Sequence, residues 1–236
     1  MKTIRTIFLT ALLLVPLSAR AELPWQFDQH TRYLALGDSL AAGYGATPTT
    51  QGYVYLLYRS GIFDSTPNIV FSNAGIPGIT SKDVLDYQVP QVIQYLRDFQ
   101  DAQTSPQSFI TLTVGGNDLL SILNGANPAQ VLADFQMNLA QILGLLRTSL
   151  PDTKIYISNL YTVPGIPGAD AIAFIFNSIV AGVAEAYGVP VADVYSAFLK
   201  KDGLLLIERH GADLFQVHPT NSGHRAIAEA FEAIIR

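Results

Sequence analysis

Five short apolar runs, set between longer stretches of helical period, most constrain what this chain can become. The runs are 32–37 (RYLALG), 68–73 (NIVFSN), 108–114 (SFITLTV), 154–160 (KIYISNL) and 189–194 (VPVADV). They are rich in Val, Ile, Tyr and Phe and apolar almost throughout rather than alternating, as strands buried on both faces are. Helical patterns near 50–61, 80–100, 128–149 and 170–187 separate or follow them, and a last one spans 221–235. Strands alternating with helices predict an α/β domain whose parallel sheet is covered on both sides. Right-handed crossovers then bring every strand's C-terminal end to one edge, where such sheets bind ligands.

Local punctuation supports this reading. The 128–149 helix starts after Asn127 with Pro128 in its first turn and stops before Pro151. Thr220 and Asn221 are good caps for the last helix. There is no internal repeat, low-complexity segment, charge block or linker, so residues 22–236 read as one domain.

Residues 1–21 stand apart. Lys2 and Arg5 precede an apolar run from Ile7 to Leu17, and Ala19-Arg20-Ala21 closes the segment. This is the layout of a cleaved secretory signal, and an apolar core of that length broken by Pro16 is too short to span a bilayer. The expected mature chain is periplasmic or secreted, with no stable membrane anchor. It keeps 11 basic and 19 acidic residues, a net charge of −8. An acidic chain without a basic cluster argues against nucleic acid as a partner. The absence of cysteine excludes a thiol nucleophile and any thiolate metal site.

The first strand runs into "YLALGDSLAAGYG" (33–45), which places Ser39 just past a strand end. A serine there serves as helix cap, phosphate cradle or nucleophile. No Gly-Lys-Ser/Thr occurs to make a Walker A loop, and "GYGATP" (43–48) has Pro48 where a dinucleotide fingerprint needs its third glycine. Three further blocks fall at the same predicted edge: "SNAGIPGITSKD" (72–83), "TVGGNDLL" (113–120) and, before the final helix, "VHPTNSGH" (217–224). A serine hydroxyl needs a histidine to take its proton, and an oxyanion needs fixed donors. His218 would be the base. The backbone N–H groups of Ser39 and Gly75 and the side-chain amide of Asn117 would be the donors.

"GDSL" (37–40), the "NAG" glycine, "GGND" (115–118) and the late "HP" resemble the ordered blocks of the SGNH, or GDSL-type, hydrolases. The resemblance runs from about residue 32 to the C-terminus. It implies a flavodoxin-like three-layer α/β/α sandwich with a five-stranded parallel sheet. It also implies Ser39 as nucleophile, His218 as general base, Gly75 and Asn117 as oxyanion donors, and no cofactor. The family aspartate that lies three residues before the histidine is replaced by Phe215. Asp213 reaching His218 by another loop path, a main-chain carbonyl near Phe215 giving a Ser-His dyad, and Asp193 at the fifth strand's end are the three alternatives.

Other residues have plainer expected roles. Asp38 stabilises its turn, Asp118 ties the loop after the third strand, and His224 is a surface or capping residue. Asn177 satisfies a backbone group inside the fold. The spacing of His210, His218 and His224 matches no common metal-ligand pattern. The apolar run 171–184 is either a helix buried against the sheet or a wall of an acyl pocket. "LLLIE" (204–208) invites the same pair of readings. Tyr44, Tyr53 and Tyr55 either line the entrance or pack between helix and sheet. The expected activity is hydrolysis of carboxylic esters, of the carboxylesterase or lysophospholipase type; the expected substrate is a small-molecule ester or lysolipid with a medium or long acyl chain. Carbohydrate O-deacetylation, an inert binding protein of the same fold and an FMN binder are the alternatives.

Overall fold

The computed structural model describes residues 30–64, 69–100, 107–210 and 213–235; of these, the side chains of 98–100 and 208–216 are not described. The proposed signal segment, residues 1–21, lies outside the described residues. The main sheet is built from β1 (Arg32–Gly37), β2 (Val70–Asn73), β3 (Ser108–Thr113), β4 (Lys154–Ser158) and β5 (Val191–Ala192). All neighbours are parallel, in the order β2-β1-β3-β4-β5. This is the flavodoxin-like order, and its switch point lies between β1 and β3. Every residue of β1 and β3 is buried, which accounts for runs that are apolar without alternation.

Successive β1 side chains face opposite layers. Leu34 and Leu36 join a core with Ile110, Leu112, Ile155 and Ile157, covered by α4 (Val89–Gln100), α6 (Pro128–Ser149) and α7 (Ala169–Ala186). Tyr33 and Ala35 face the other layer, where α2 (Tyr53–Ser60), α8 (Val194–Phe198) and α9 (Asn221–Glu232) pack. Among the described residues α7 is the one helix long and apolar enough to cross a membrane. Here it buries Ala173, Phe176, Val180, Val183 and Ala184 against the domain core, while Phe174 and Ile175 face outward. Asn177 bonds the backbone of Leu160 at both its N–H and its C=O, as its lone amide on this helix suggests.

Two parts differ from the sequence expectation. The 80–100 helix is not uniform: α3 (Ser81–Asp83) passes into a π-turn over Val84–Gln88 before α4 begins. His218 does not lie on a loop. It sits in β7 (Asp213–Pro219), which pairs antiparallel with β6 (Leu205–His210) in a separate hairpin. "LLLIE" is thus largely a hairpin strand rather than plain core, and Leu206 and Ile207 are exposed.

Candidate active site

The turn after β1 is dictated by steric limits. Gly37 has φ +131°, and a Cβ there would lie 2.0 Å from the Thr113 carbonyl oxygen; only glycine fits so close to β3. Asp38 donates its N–H to that same carbonyl at 3.2 Å. Its carboxylate caps α1 (Ser39–Ala42) by accepting from Leu40 N–H at 2.9 Å. Asp38 therefore holds its turn, as expected. Burial pushes its pKa up to about 7, the Leu40 N–H opposes this, and the Asp118 charge adds to it. Ser39 opens α1, so its own N–H has no carbonyl within the helix to bond.

Ser39 Oγ lies 2.9 Å from His218 Nε2, across 179 residues of sequence. The hairpin end that carries His218 is tied down from several sides. Tyr161 donates its hydroxyl to the Val217 carbonyl at 2.8 Å. The Tyr44 ring packs on the imidazole with centroids 4.5 Å apart. Gly45 passes so close that a Cβ would sit 2.3 Å from the Pro219 carbonyl oxygen and 3.1 Å from His218 Cβ. The 44–47 loop is in turn stapled to α9. His224 Nε2 donates to the Tyr44 carbonyl at 2.9 Å, and Asn221 bonds both the N–H and the C=O of Thr47 at 2.8 Å.

His224 is fully buried, not the surface or capping residue the sequence suggests. Its Nδ1 faces the Tyr53 N–H at 3.3 Å. Desolvation lowers its pKa to about 4, against the Tyr44 carbonyl bond and with the His218 charge, so the ring is neutral near pH 7. Tyr53 is buried against Phe231, and Tyr55 packs edge-on to Phe71. Of the three tyrosines considered for the entrance, Tyr44 is the one that lines the cavity.

The Gly75 assignment is corrected. A Cβ at Gly75 would lie 2.2 Å from Ala42 N and 2.6 Å from Ala41 C, and the Gly75 N–H is bonded to Asn73 Oδ1 at 2.9 Å. Its freedom from a side chain lets α1 approach β2, rather than letting substrate approach the backbone. Gly78, three residues on, has φ +86° with open space where a Cβ would stand, and it lines the same cavity as Ser39. The paired glycines of "NAGIPG" carried that signal, and only the packing separates their roles.

Asn117 stands in the first turn of α5 (Gly116–Leu123), also on the cavity wall. Its Nδ2 donates to the Ile79 carbonyl at 2.7 Å, which uses one of two amide hydrogens. Asp118 ties this loop to the next: its carboxylate accepts from Ser81 N–H at 2.9 Å and Ser81 Oγ at 2.7 Å. Asn138 adds a bond to Ser81 Oγ at 3.0 Å. The loops bearing Gly78 and Asn117 are thereby joined behind the cavity, as the expected tie at Asp118 requires.

The acid alternatives separate by position. Asp193 caps α8, accepting from Ser196 N–H at 3.1 Å and from Asn159 Nδ2 at 2.9 Å. Asp213 opens β7 opposite His210, whereas His218 lies opposite Leu206. Four residues of extended strand, about 13 Å, thus part the Asp213 backbone from that of His218. The Asp213 and His210 side chains lie outside the described residues. Among the described residues no three His, Cys, Asp or Glu side chains gather to hold a metal ion.

Ser39 and His218 stand at a cavity of about 330 Å³ with a mainly apolar wall that includes Val114, Leu119, Leu120, Leu160 and Val163. Residues 35–226 match the model of the GDSL-like lipase/acylhydrolase family. This chain belongs to that family. It is 27% identical over 217 residues to the spore germination lipase LipC of Bacillus licheniformis, covering 86% of this chain and 95% of the relative. The lipase Lip_vut3 from a goat rumen metagenome has a solved structure that superposes with a TM-score of 0.69 at 24% identity, covering 86% of this chain and 96% of the other. An acetyl xylan esterase of Geobacillus stearothermophilus gives 0.63 at 21%, covering 89% and 98%. The GDSL esterase/lipase family is one of ester hydrolases, and the shared fold is the five-stranded parallel sheet with helices on both sides.

Proposed function

We propose that this protein is an exported carboxylesterase or lysophospholipase that works through an acyl-enzyme on Ser39. The observation that carries the reading is the 2.9 Å contact between Ser39 Oγ and His218 Nε2 on the wall of a mainly apolar cavity. Ser39 Oγ attacks the ester carbonyl carbon while His218 Nε2 takes its proton and passes it to the leaving alcohol oxygen. Water, deprotonated by the same nitrogen, then releases the acid. The Ser39 N–H, the second hydrogen of Asn117 Nδ2 and the Gly78 N–H are the proposed donors to the oxyanion. Ser39 and His218 act as a dyad, with Asp213 outside it. The aliphatic wall suits an acyl chain better than a sugar, which favours lipid esters or lysolipids over acetylated carbohydrate. Export rests on the layout of residues 1–21.

The test is the chain-length profile of p-nitrophenyl ester hydrolysis from acetate to palmitate, with Ser39→Ala as control. The expected result is activity that the substitution abolishes, peaking at eight or more carbons. A peak at acetate moves the substrate to acetylated sugars or small esters. Activity absent from the wild type, or kept by Ser39→Ala, overturns the reading and leaves a binding protein.

A further inference from the structure

Gln88 is buried behind the nucleophile turn and takes no part in the reaction proposed above. It closes the π-turn of Val84–Gln88, where the Val89 N–H bonds back to the Val84 carbonyl. One extra residue in a turn shifts helical phase by about 100°, and such turns concentrate at functional sites. Here the shifted residue points at the end of the sheet. The β1–β2 ladder stops at Ala35↔Asn73 while β1 continues to Gly37; beyond the ladder the Ile76 N–H still donates to the Gly37 carbonyl at 3.1 Å, but the Gly37 N–H is left to a side chain.

The Gln88 carboxamide fills that gap. Its Oε1 accepts from the Gly37 N–H at 2.8 Å, and its Nε2 donates to the Gly37 carbonyl at 2.9 Å and to the Ala74 carbonyl at 2.6 Å. Both amide hydrogens are used. One side chain thus meets the peptide planes on both sides of Gly37, two residues ahead of Ser39, beside the Ile76 N–H on the Gly37 carbonyl and the Asp38 N–H that donates to Thr113. A glycine at φ +131° has no side chain of its own to hold it there. We infer that Gln88 is a positioning residue for the nucleophile: holding Gly37 past the end of the β1–β2 ladder, it aims Ser39 Oγ at the substrate carbonyl and at His218. The inference rests on Ser39 being the nucleophile of an ester hydrolase.

The test compares Gln88→Leu, which keeps size and loses all three bonds, with Gln88→Glu, which keeps size and loses the donors. Both are made in the full chain. Leu146→Ala, a fully buried change on α6, serves as a destabilised control. The readouts are kcat and KM on a p-nitrophenyl ester, Tm, and the rate at which diethyl p-nitrophenyl phosphate modifies Ser39. In that modification the Ser39 Oγ–P bond forms, p-nitrophenolate leaves, and His218 receives the serine proton. The expected result is a fall of about 10²-fold in kcat and in modification rate, with KM within threefold. Leu146→Ala should lower Tm at least as far with kcat within twofold. Gln88 variants that keep kcat within threefold, that change only KM, or that lose activity no more than Leu146→Ala at matched Tm would overturn the inference. Should Gln88→Leu fail to fold, Gln88→Glu decides by the same criteria. A wild type inert to esters and to the phosphate overturns the ester-hydrolase reading itself; an active wild type with active variants overturns only the role of Gln88.

Discussion

Ser39 and His218 reach each other from two different kinds of scaffold. Ser39, the proposed nucleophile, follows a strand paired on both sides and buried at all six residues. The turn that carries it is held by Thr113, Gln88 and the Asp38 cap. His218, the proposed base, sits in a two-stranded hairpin whose Leu206 and Ile207 face solvent. That arm is tied at its inner end through Val217, Tyr44 and α9. On one side a buried sheet, finished by the Gln88 and Asp38 side chains, sets the geometry; on the other a two-stranded hairpin and a handful of side chains do. The sheet edge is organised largely by the same burial that folds the domain, whereas the imidazole depends mainly on side-chain contacts around a partly exposed hairpin.

The contrast can be broken most directly at the imidazole. His218→Ala should lower kcat by at least about 10³-fold with the fold intact, measured by ester turnover alongside circular dichroism; a smaller loss would mean that the hairpin carries no base. On the sheet side, Asn117→Ala should cost about 10²–10³ in kcat with KM little changed. A change confined to KM would remove it from the oxyanion site.

The sheet scaffold also carries a buried carboxylate. The Asp38 pKa is raised from 3.8 to about 7 by burial. Protonated Asp38 is thus favoured in the folded chain, and this contribution to stability is full below pH 3.8 and lost as pH rises through 7. Asp38→Asn keeps an acceptor for the Leu40 N–H and removes that slope. It should stabilise the protein by about 1–3 kcal/mol at pH 8 and far less at pH 4, read from urea midpoints at the two values. An equal effect at both would place the carboxylate in water. Smallest of all, Asp213→Asn should lower kcat less than tenfold, since β7 carries that residue away along the strand. A loss of several orders of magnitude would restore it to a triad.

Much of the sheet side was legible in the sequence. Runs apolar throughout marked strands buried on both faces, and Ser39 and Asn117 stood where two of those runs ended. The β2-β1-β3-β4-β5 order then set both residues at the switch point. The hairpin was not legible, because Leu204 to Ile207 reads the same whether a run is core or a half-exposed antiparallel strand. Gly75 and Gly78 could not be told apart for a related reason. One glycine makes room for α1 and the other for the cavity, and that choice is made by neighbours distant in sequence. His224 looked peripheral on a terminal helix, yet it is buried where α9 meets the 44–47 loop. Gln88 gave no signal, since its position depends on a π-turn that periodicity does not register.

The staple between the 44–47 loop and α9 bears on when during synthesis the protein can act. Ser39 leaves the ribosome 179 residues ahead of His218, and α9 emerges later still. A growing chain can complete β1 to β5 and still lack His218, so on the proposed mechanism chains that stop short of β7 should be inert. Ester turnover therefore counts only chains whose final helix has docked.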